Sequence, residues 1–401
     1  MNSRKTLLKG SIILLITFGL FNFMGYIFHF AMIRSLSVSD YGILATLFSI
    51  IYILALFSES IQTVIAKYSS SAKSNSLLKS LFKRTFKKAL KLSFILFIIY
   101  LVISIPLSSL LKIDYSLLAL NGLIIFTIFF MPISRGIMQG RKMFMSLGLN
   151  MIAESTSKLI FPIIFVFIGW KVYGAIAGVV LATFISFASS FFMLKDIFKA
   201  KEGNANTSGI YNYTTPVFVI IFTILIFFSL DIIIAKIVFS PENAGYYAIA
   251  SILAKTIFFG TQPISKAMFP LTAENKSSGK NKHKIFLNAL GIIFILIISS
   301  LLVFYFFPDI LIKISSGKII PESSSILLYL GIAMSLISLT NLNLLYKISL
   351  GSMKGYFYLP FFIVIEAIIM YVFSANLVEF SLAYITASAI FLWGSSVLIR
   401  P

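Results

Sequence analysis

Residues 92–111 read LSFILFIIYLVISIPLSSLL, a run of 20 residues without a charged side chain. A helix of this length is about 30 Å long and matches the hydrocarbon core of a bilayer. The run therefore predicts a membrane-spanning helix rather than a helix of a soluble domain.

The composition extends this interpretation to the whole chain. Of the 401 residues, 59% are hydrophobic and only 11% are charged, whereas about 25% of the residues of soluble domains are charged. The absence of Cys excludes disulfides, thiolate metal sites and cysteine nucleophiles, and two His leave little room for a zinc site or a catalytic triad. We expect an all-α polytopic membrane protein without a metal or other cofactor.

Twelve apolar runs are long enough to cross a bilayer as helices. We number them spans 1 to 12. In chain order they are 8–33, 43–65, 92–111, 117–138, 144–168, 172–194, 214–239, 245–269, 285–307, 323–346, 357–373 and 380–398.

The basic residues are divided unevenly between the two sides of the membrane. Of the 33 Lys and Arg, 24 fall on the side that holds both termini, six on the opposite side and three inside spans. Because cytoplasmic loops carry an excess of basic residues, this bias predicts cytoplasmic N and C termini in the cell membrane. The net charge of +20 would also suit a nucleic-acid-binding protein, but that function needs a basic soluble face, so we expect no nucleic-acid partner.

The longest basic segment, residues 67–91, lies between spans 2 and 3. It carries eight Lys and Arg interleaved with Leu, Phe and Ala. One interpretation is an amphipathic helix that lies on anionic membrane lipids. The other is a solvated connector whose charges only orient the protein.

The chain contains a weak internal duplication. A shift of 203 residues aligns LSVSDYGILA at 36–45 with FSPENAGYYA at 239–248, so that Ser, Gly and Ala coincide. A second match, at a shift of 212, pairs Arg135 with Lys347. The first match joins spans 1–2 and 7–8, and the second joins spans 4–5 and 10–11.

The duplication predicts two six-helix lobes, 1–200 and 214–401, joined by a cytoplasmic linker at 201–213. A repeat with an even number of helices returns to its starting side. The two lobes would therefore be related by a pseudo-twofold axis along the membrane normal, which is typical of transporters.

The same segments carry a family resemblance. Residues 14–45, which contain MIRSL and DYG, resemble the opening of polysaccharide-export flippases, members of the multidrug/oligosaccharidyl-lipid/polysaccharide flippase superfamily. Asp231 with 240–255, and also 169–182, resemble later segments of that family. The resemblance implies a V-shaped pair of six-helix bundles. It also implies translocation of polyprenyl- or dolichyl-(di)phosphate-linked sugars to the outer leaflet by alternating access.

Ionisable side chains inside spans are costly and usually face a bundle interior or an aqueous cavity. In this chain they supply candidate substrate-binding cations and candidate acids for ion coupling or charge pairing. The cations are Lys158, Lys255 and Lys266, with Arg135 at the inner end of span 4; the acids are Glu59, Glu154, Asp231 and Glu366.

Span 8 carries a polar stripe. Lys255, Gln262 and Lys266 are spaced i, i+7 and i+11 and share one helix face, which suits the binding of a phosphate by ammonium groups. Two alternatives remain open. Lys255 pairs with Asp231, which lies at a similar depth in span 7, and Lys266 extends its ammonium group to the cytoplasmic interface.

Span 5 carries Asn150, Glu154 and Lys158 at i, i+4 and i+8. Glu followed by Lys at i+4 favours an intrahelical ion pair. The pair either neutralises the span, or it opens so that Lys158 shares a diphosphate with Lys255. Arg135 either guards the cytoplasmic entrance or sets the topology.

The remaining acids are candidates for ion coupling. Glu366 has no polar neighbour within its own span, so it is either protonated and silent or, together with Asp231 and Glu59, couples transport to H⁺ or Na⁺. The sequence leaves both the ion and the oligomeric state open.

Three classes of function fit these residues. A flippase for lipid-linked saccharides predicts cavity cations because its cargo carries phosphate, and a multidrug cation antiporter predicts acids without neighbouring cations. A channel or a membrane enzyme is the third class, and an enzyme is disfavoured because no outer loop carries an acid/His cluster. The cations of spans 5 and 8 favour the flippase, with a lipid-linked oligosaccharide and anionic membrane lipids as partners.

Overall fold

The computed structural model of the protein describes residues 2–72, 74–203, 215–274, 279–351 and 354–398. These residues form helices and short connecting turns, which confirms the all-α prediction. In chain order the helices are α1 (Asn2–Ser35), α2 (Val38–Leu54), α3 (Leu56–Ser71), α4 (Asn75–Leu111), α5 (Tyr115–Gly122), α6 (Ile124–Gly140), α7 (Phe144–Phe165), α8 (Lys171–Met193), α9 (Lys195–Lys199), α10 (Thr215–Val238), α11 (Pro241–Glu274), α12 (Gly279–Phe306), α13 (Pro308–Ser316), α14 (Pro321–Ser349), α15 (Pro360–Val372) and α16 (Leu377–Leu398).

Eight helical segments of the described chain are long and apolar enough to cross a membrane. The segment Phe144–Met193 covers two predicted spans, 5 and 6, and two further apolar helices, Val38–Leu54 and Tyr356–Val372, are shorter. Helix α11, at span 8, is not among these segments, although it has 34 residues. Its polar side chains lower its hydropathy; some of them, such as Ser251 and Lys255, are buried within the protein, whereas Lys266 is exposed. The count of twelve spans in two bundles stays a prediction.

The turn between α7 and α8 has an unusual backbone. Residues Val166–Trp170 form a π-helical turn in which Gly169 has a φ of 98°. A residue that has a Cβ adopts the left-handed region only at a cost in free energy, whereas glycine adopts it readily. The turn separates the two predicted spans that Phe144–Met193 covers.

Helix α4 is continuous over 37 residues, a length of about 55 Å. It begins after Ser74, whose hydroxyl accepts a hydrogen bond from the backbone N–H of Leu77 at 3.3 Å. The basic residues after Asn75 and the apolar residues of span 3 therefore belong to one continuous helix. A helix that is collinear with a span cannot also lie flat on the membrane, so this part of the first interpretation of 67–91 is wrong.

The chain divides into two compact units. Unit 1 comprises Met1–Leu36 and Leu54–Tyr213, and unit 2 comprises Ser37–Ile53 and Thr214–Pro401. The residues 37–53, which the sequence interpretation gave to the N-terminal lobe, thus pack with the second unit. The assignment of 1–200 and 214–401 to two lobes with a linker at 201–213 remains a prediction.

Unit 1 is held together partly by hydrogen bonds between buried hydroxyl groups. Thr127 of α6 donates to Thr183 of α8 at 3.2 Å. About two helical turns further along both helices, Ser190 of α8 donates to Ser134 of α6 at 2.9 Å. In an apolar surrounding, hydroxyl pairs and small side chains let helices pack closely. These contacts fix α6, which carries Arg135, against α8.

Unit 2 contains a close contact between α2 and α11. It is formed by Gly42 and Gly245, the two glycines that the shift of 203 residues aligns. A Cβ added to Gly42 would lie 3.0 Å from the Cα of Gly245, and one added to Gly245 would lie 2.7 Å from the carbonyl carbon of Val38. The two backbones approach this closely because neither residue has a side chain.

We expect Gly245→Ala to destabilise the protein. Alanine favours a helix by about 1 kcal/mol over glycine, but the new methyl group would overlap the Val38 backbone, and overpacking costs about 1–3 kcal/mol. Thermal unfolding of the detergent-solubilised protein, followed by circular dichroism, measures the net effect. Gly260→Ala on the same helix is the control, because a Cβ there meets nothing within 4 Å. Equal stability of the two variants would contradict the close contact.

Candidate functional site

Unit 1 contains a group of charged side chains that we call the Glu154 cluster (Arg135, Asn150, Glu154 and Lys158). The two carboxylate oxygens of Glu154 are paired with different cations, Oε2 with Arg135 and Oε1 with Lys158. Arg135 also donates through Nε to the side-chain oxygen of Asn150 at 2.8 Å. Asn150 in turn donates to the backbone oxygen of Ser186 at 2.8 Å, which ties the cluster to α8.

The cluster forms because α6 and α7 are joined by a three-residue turn. Arg135 and Asn150 lie at nearly equal distances from this turn, at 141–143, and therefore at a similar depth. Glu154 follows Asn150 by one helical turn, and Lys158 follows Glu154 by another. Sequence reasoning identified the Glu154–Lys158 pair and missed Arg135 as the second partner. The number of residues between Arg135 and the turn could have indicated this pairing, because it places Arg135 at the depth of Asn150, one helical turn from Glu154.

The Glu154 cluster has more positive than negative charge. Two cations face one carboxylate, so the net charge is +1. The side chain of Glu154 is only 6% exposed, whereas 29% of Lys158 and 12% of Arg135 are exposed. The Lys158 ammonium also lies 5.9 Å from the ring centroid of Phe21 on α1. The accessible groups are therefore the cations, and the arrangement can accept an anion.

Unit 2 contains a second group, which we call the Asp231 cluster (Asp231, Tyr247, Ser251 and Lys255). Asp231 of α10 accepts hydrogen bonds from Lys255 at 2.9 Å, from Ser251 at 2.6 Å and from Tyr247 at 3.4 Å. The three donors are spaced by four residues along α11 and present one face to Asp231. Sequence reasoning did not identify Ser251 and Tyr247 as partners of Asp231, although their spacing of four and eight residues from Lys255 places them on the same helix face.

Lys255 is buried by its own unit. Its side chain is 2% exposed, that of Asp231 is 0% exposed, and its ammonium lies 4.7 Å from the ring centroid of Phe228. Of the two sequence alternatives, pairing with Asp231 is the one present in the structure. Contact of Lys255 with a phosphate would first require this pair to open.

Glu366 of α15 lies near the Asp231 cluster. It is fully buried, and among the described residues neither of its carboxylate oxygens has a hydrogen-bond partner. It interacts electrostatically with Asp231 and Lys255. Two buried acids, Asp231 and Glu366, thus lie near the buried cation Lys255, whereas in the Glu154 cluster one acid is paired with two cations.

The internal duplication relates these two arrangements. Under the shift of 212 residues, Arg135, Glu154 and Lys158 correspond to Lys347, Glu366 and Met370. The ammonium of Lys347 donates to the backbone oxygens of Ser395 and Ser396 at 2.9 and 2.6 Å. The acid is thus present at both aligned positions, whereas the position aligned with Lys158 holds the uncharged Met370.

The last two predicted site residues are less informative. Lys266 is exposed on α11, and Gln262 of the same stripe is half-buried. Because Lys255 is buried, the three residues do not form a single accessible surface. Glu59 lies in α3, but its side chain falls outside the described residues.

Residues 7–276 match the model of a protein family described as polysaccharide biosynthesis protein. The match spans 270 of the 401 residues and includes both charge clusters. The chain belongs to the polysaccharide biosynthesis protein family. A comparison with curated protein sequences gives no match.

Solved structures show which fold this family member has. The chain is similar to an inward-facing conformation of a multidrug resistance MATE family transporter of the MOP superfamily, with a TM-score of 0.76, 14% identity and coverage of 92% of this chain and 93% of that one. It is also similar to the lipid II flippase MurJ in an inward closed conformation, with a TM-score of 0.70, 14% identity and coverage of 97% and 86%.

These likenesses establish that this chain has the same fold as that MATE family transporter and as MurJ. Together with its apolar helices, they show that the protein is a multi-pass membrane protein. The solved structures to which the chain is similar are those of a transporter and a flippase.

We expect Lys255→Met to destabilise the protein strongly. Removal of one partner leaves Asp231 buried and charged without a cation, which costs about 3–5 kcal/mol. The double variant Asp231→Asn, Lys255→Met removes both charges and should recover a large part of this loss. Thermal unfolding in detergent measures the order of stabilities, with the exposed Lys266→Met on the same helix as the control. A double variant less stable than Lys255→Met would contradict a charge pair.

Proposed function

We propose that the protein is a flippase that translocates a polyprenyl-(di)phosphate-linked saccharide across the cell membrane by alternating access, for the biosynthesis of a cell-surface polysaccharide. The family match and the fold support this proposal. The single observation that carries it is the surplus positive charge of the Glu154 cluster, whose cations are the accessible members.

The Glu154 cluster is suited to bind a phosphate and to release it again. A charge pair about 4 Å apart contributes about 4 kcal/mol at an effective dielectric constant of 20, which is enough to hold a phosphate oxygen reversibly. When the phosphate leaves, Arg135 and Lys158 pair again with Glu154. No cation is then left unpaired in the membrane, where an unpaired charge is costly.

The Asp231 cluster has a different part in this proposal. We assign Asp231 and Glu366 as candidate coupling acids, with Glu59 as a third, and H⁺ or Na⁺ as the driving ion. Lys255 is paired with the buried Asp231, and Lys255 and Lys266 would contact substrate only in another state of the protein. We also propose cytoplasmic termini and twelve spans in two six-helix lobes, as the loop charges and the duplication indicate.

A multidrug cation antiporter is the second candidate. The observation that favours it is Glu366, a second buried acid of unit 2. It lies near the Asp231–Lys255 pair, and among the described residues its carboxylate has no hydrogen-bond partner. The similarity of the fold to a multidrug resistance MATE family transporter agrees with it.

The proposal is tested by translocation of a fluorescent polyprenyl-diphosphate saccharide in proteoliposomes. Wild type should move the lipid, and Lys158→Gln should slow the movement about tenfold or more, since a charge-assisted hydrogen bond contributes about 1.5–3 kcal/mol. Arg135→Gln should act similarly, and Lys284→Gln, at an exposed position of α12, is the charge-matched control.

One result would decide against the flippase, and another would decide against the Glu154 cluster as its phosphate site. Wild type that moves no lipid-linked saccharide but exports an organic cation supports the antiporter. Translocation at the wild-type rate by both Lys158→Gln and Arg135→Gln, in correctly folded protein, would show that the Glu154 cluster does not bind the phosphate.

We expect Glu154→Gln to change translocation in a different way. The variant removes the acid to which both cations return, so bound phosphate should be held more tightly and released more slowly. Half-saturation should occur at a lower substrate concentration, and the maximal rate should fall. Initial rates at a series of lipid concentrations measure both quantities. A higher half-saturation concentration would contradict the role of Glu154 as the alternating partner.

A further inference from the structure

Helix α4 presents a row of cations to the outside of the protein, directly below a lipid-facing apolar surface. We call Arg84, Lys87, Lys88 and Lys91 the α4 basic face; all four are exposed. Phe94, Ile95, Ile98 and Val102, which are 45–61% exposed, continue the same stripe toward the C terminus. Steps of three and four residues along the helix keep the stripe on one side.

The depth of the α4 basic face follows from the length of the apolar run. The 20 residues 92–111 span about 30 Å, the thickness of the hydrocarbon core. Lys91 therefore lies at the boundary of the hydrocarbon, and Lys87 and Lys88 lie about one turn beyond it. The headgroup layer is about 5–7 Å thick on each side, so these three ammonium groups fall within it.

The orientation of α4 is fixed by contacts on other parts of its circumference. Lys79 donates to the backbone oxygens of Phe198 and Ala200 at 2.6 and 2.7 Å, and Lys83 pairs with Glu202. Phe82, on the buried side, packs edge-on against Phe198 with a centroid distance of 4.9 Å. Because these contacts hold the helix in unit 1, the basic face cannot turn away from the membrane.

We propose that the α4 basic face is a binding surface for the headgroups of anionic phospholipids, in the leaflet on the side of the α4 N terminus. In the proposed topology this is the cytoplasmic leaflet. Anionic headgroup phosphates complement the cations, and the acyl chains of the same lipids would lie along Phe94, Ile98 and Val102. The cations and the exposed apolar residues follow one another along one face of α4. A lipid, which has a charged headgroup and apolar chains, matches this order better than a soluble partner does. The inference does not depend on the cargo of the transporter.

The experiment compares the association of spin-labelled phosphatidylglycerol and phosphatidylcholine with the protein in proteoliposomes, by electron paramagnetic resonance. Wild type should prefer phosphatidylglycerol. The variant Lys87→Gln, Lys88→Gln, Lys91→Gln should lower this preference about fivefold or more, since one cation near the surface changes association by about that factor. The control variant Lys112→Gln, Lys171→Gln, Lys313→Gln removes the same charge at exposed positions elsewhere and should keep the preference.

Two outcomes would overturn the inference. In the first, the α4 variant keeps the wild-type preference. In the second, the control variant loses as much preference as the α4 variant, which would make the effect one of net charge alone. Wild type provides a measurement that needs no variant, because at 1 M salt the screening length falls to about 3 Å. Its preference should then disappear, and a preference that survives high salt would also overturn the inference.

Discussion

A charge inside a membrane protein must be paired within the protein, because the hydrocarbon offers it neither water nor counter-ions. The arrangement of helices around the site follows from this constraint. Glu154 is paired with cations from both α6 and α7, and Asp231 of α10 is paired with a cation and two hydroxyl groups of α11. The pairs Arg135–Glu154 and Asp231–Lys255 each join two helices. They require a register that brings both partners to the same depth, so these charges restrict the packing beyond what the apolar side chains require.

The two halves of the duplicated sequence satisfy this constraint differently. In unit 1 the acid at the duplicated position, Glu154, is matched by two cations that keep some exposure. In unit 2 the corresponding acid, Glu366, has no hydrogen-bond partner among the described residues, and the cation Lys255 comes from another position and is fully buried. The two aligned positions thus both hold an acid, whereas the partners of the two acids differ. Unit 1 thus has partly exposed cations beside its acid, whereas the Asp231–Lys255 pair of unit 2 is buried.

The sequence predicts those features of the fold and site that depend on one helix at a time. Apolar runs indicate the helices, and the spacing of Glu154 and Lys158 indicates their ion pair. The pairing of Arg135 with Glu154 needs the register between two helices, which composition does not encode. The continuity of α4 could have been predicted, because no Pro or Gly occurs between Asn75 and Pro106. The packing of 37–53 with unit 2 depends on the contact of Gly42 with Gly245, which only tertiary structure reveals.

The two candidate functions require opposite charges at the accessible part of the site, and the number of charges does not distinguish them. The four cations singled out from the sequence equal the four acids in number, so the balance is neutral. Exposure separates them. Lys158 and Arg135 retain 29% and 12% exposure, whereas Asp231 and Glu366 are 0% exposed. An organic cation could meet the carboxylate of Asp231 or Glu366 only if the protein around it opened, while an anion can approach Lys158 with the rest of the Glu154 cluster in place. Among the described side chains, accessibility therefore favours a phosphate-bearing cargo over a cationic one.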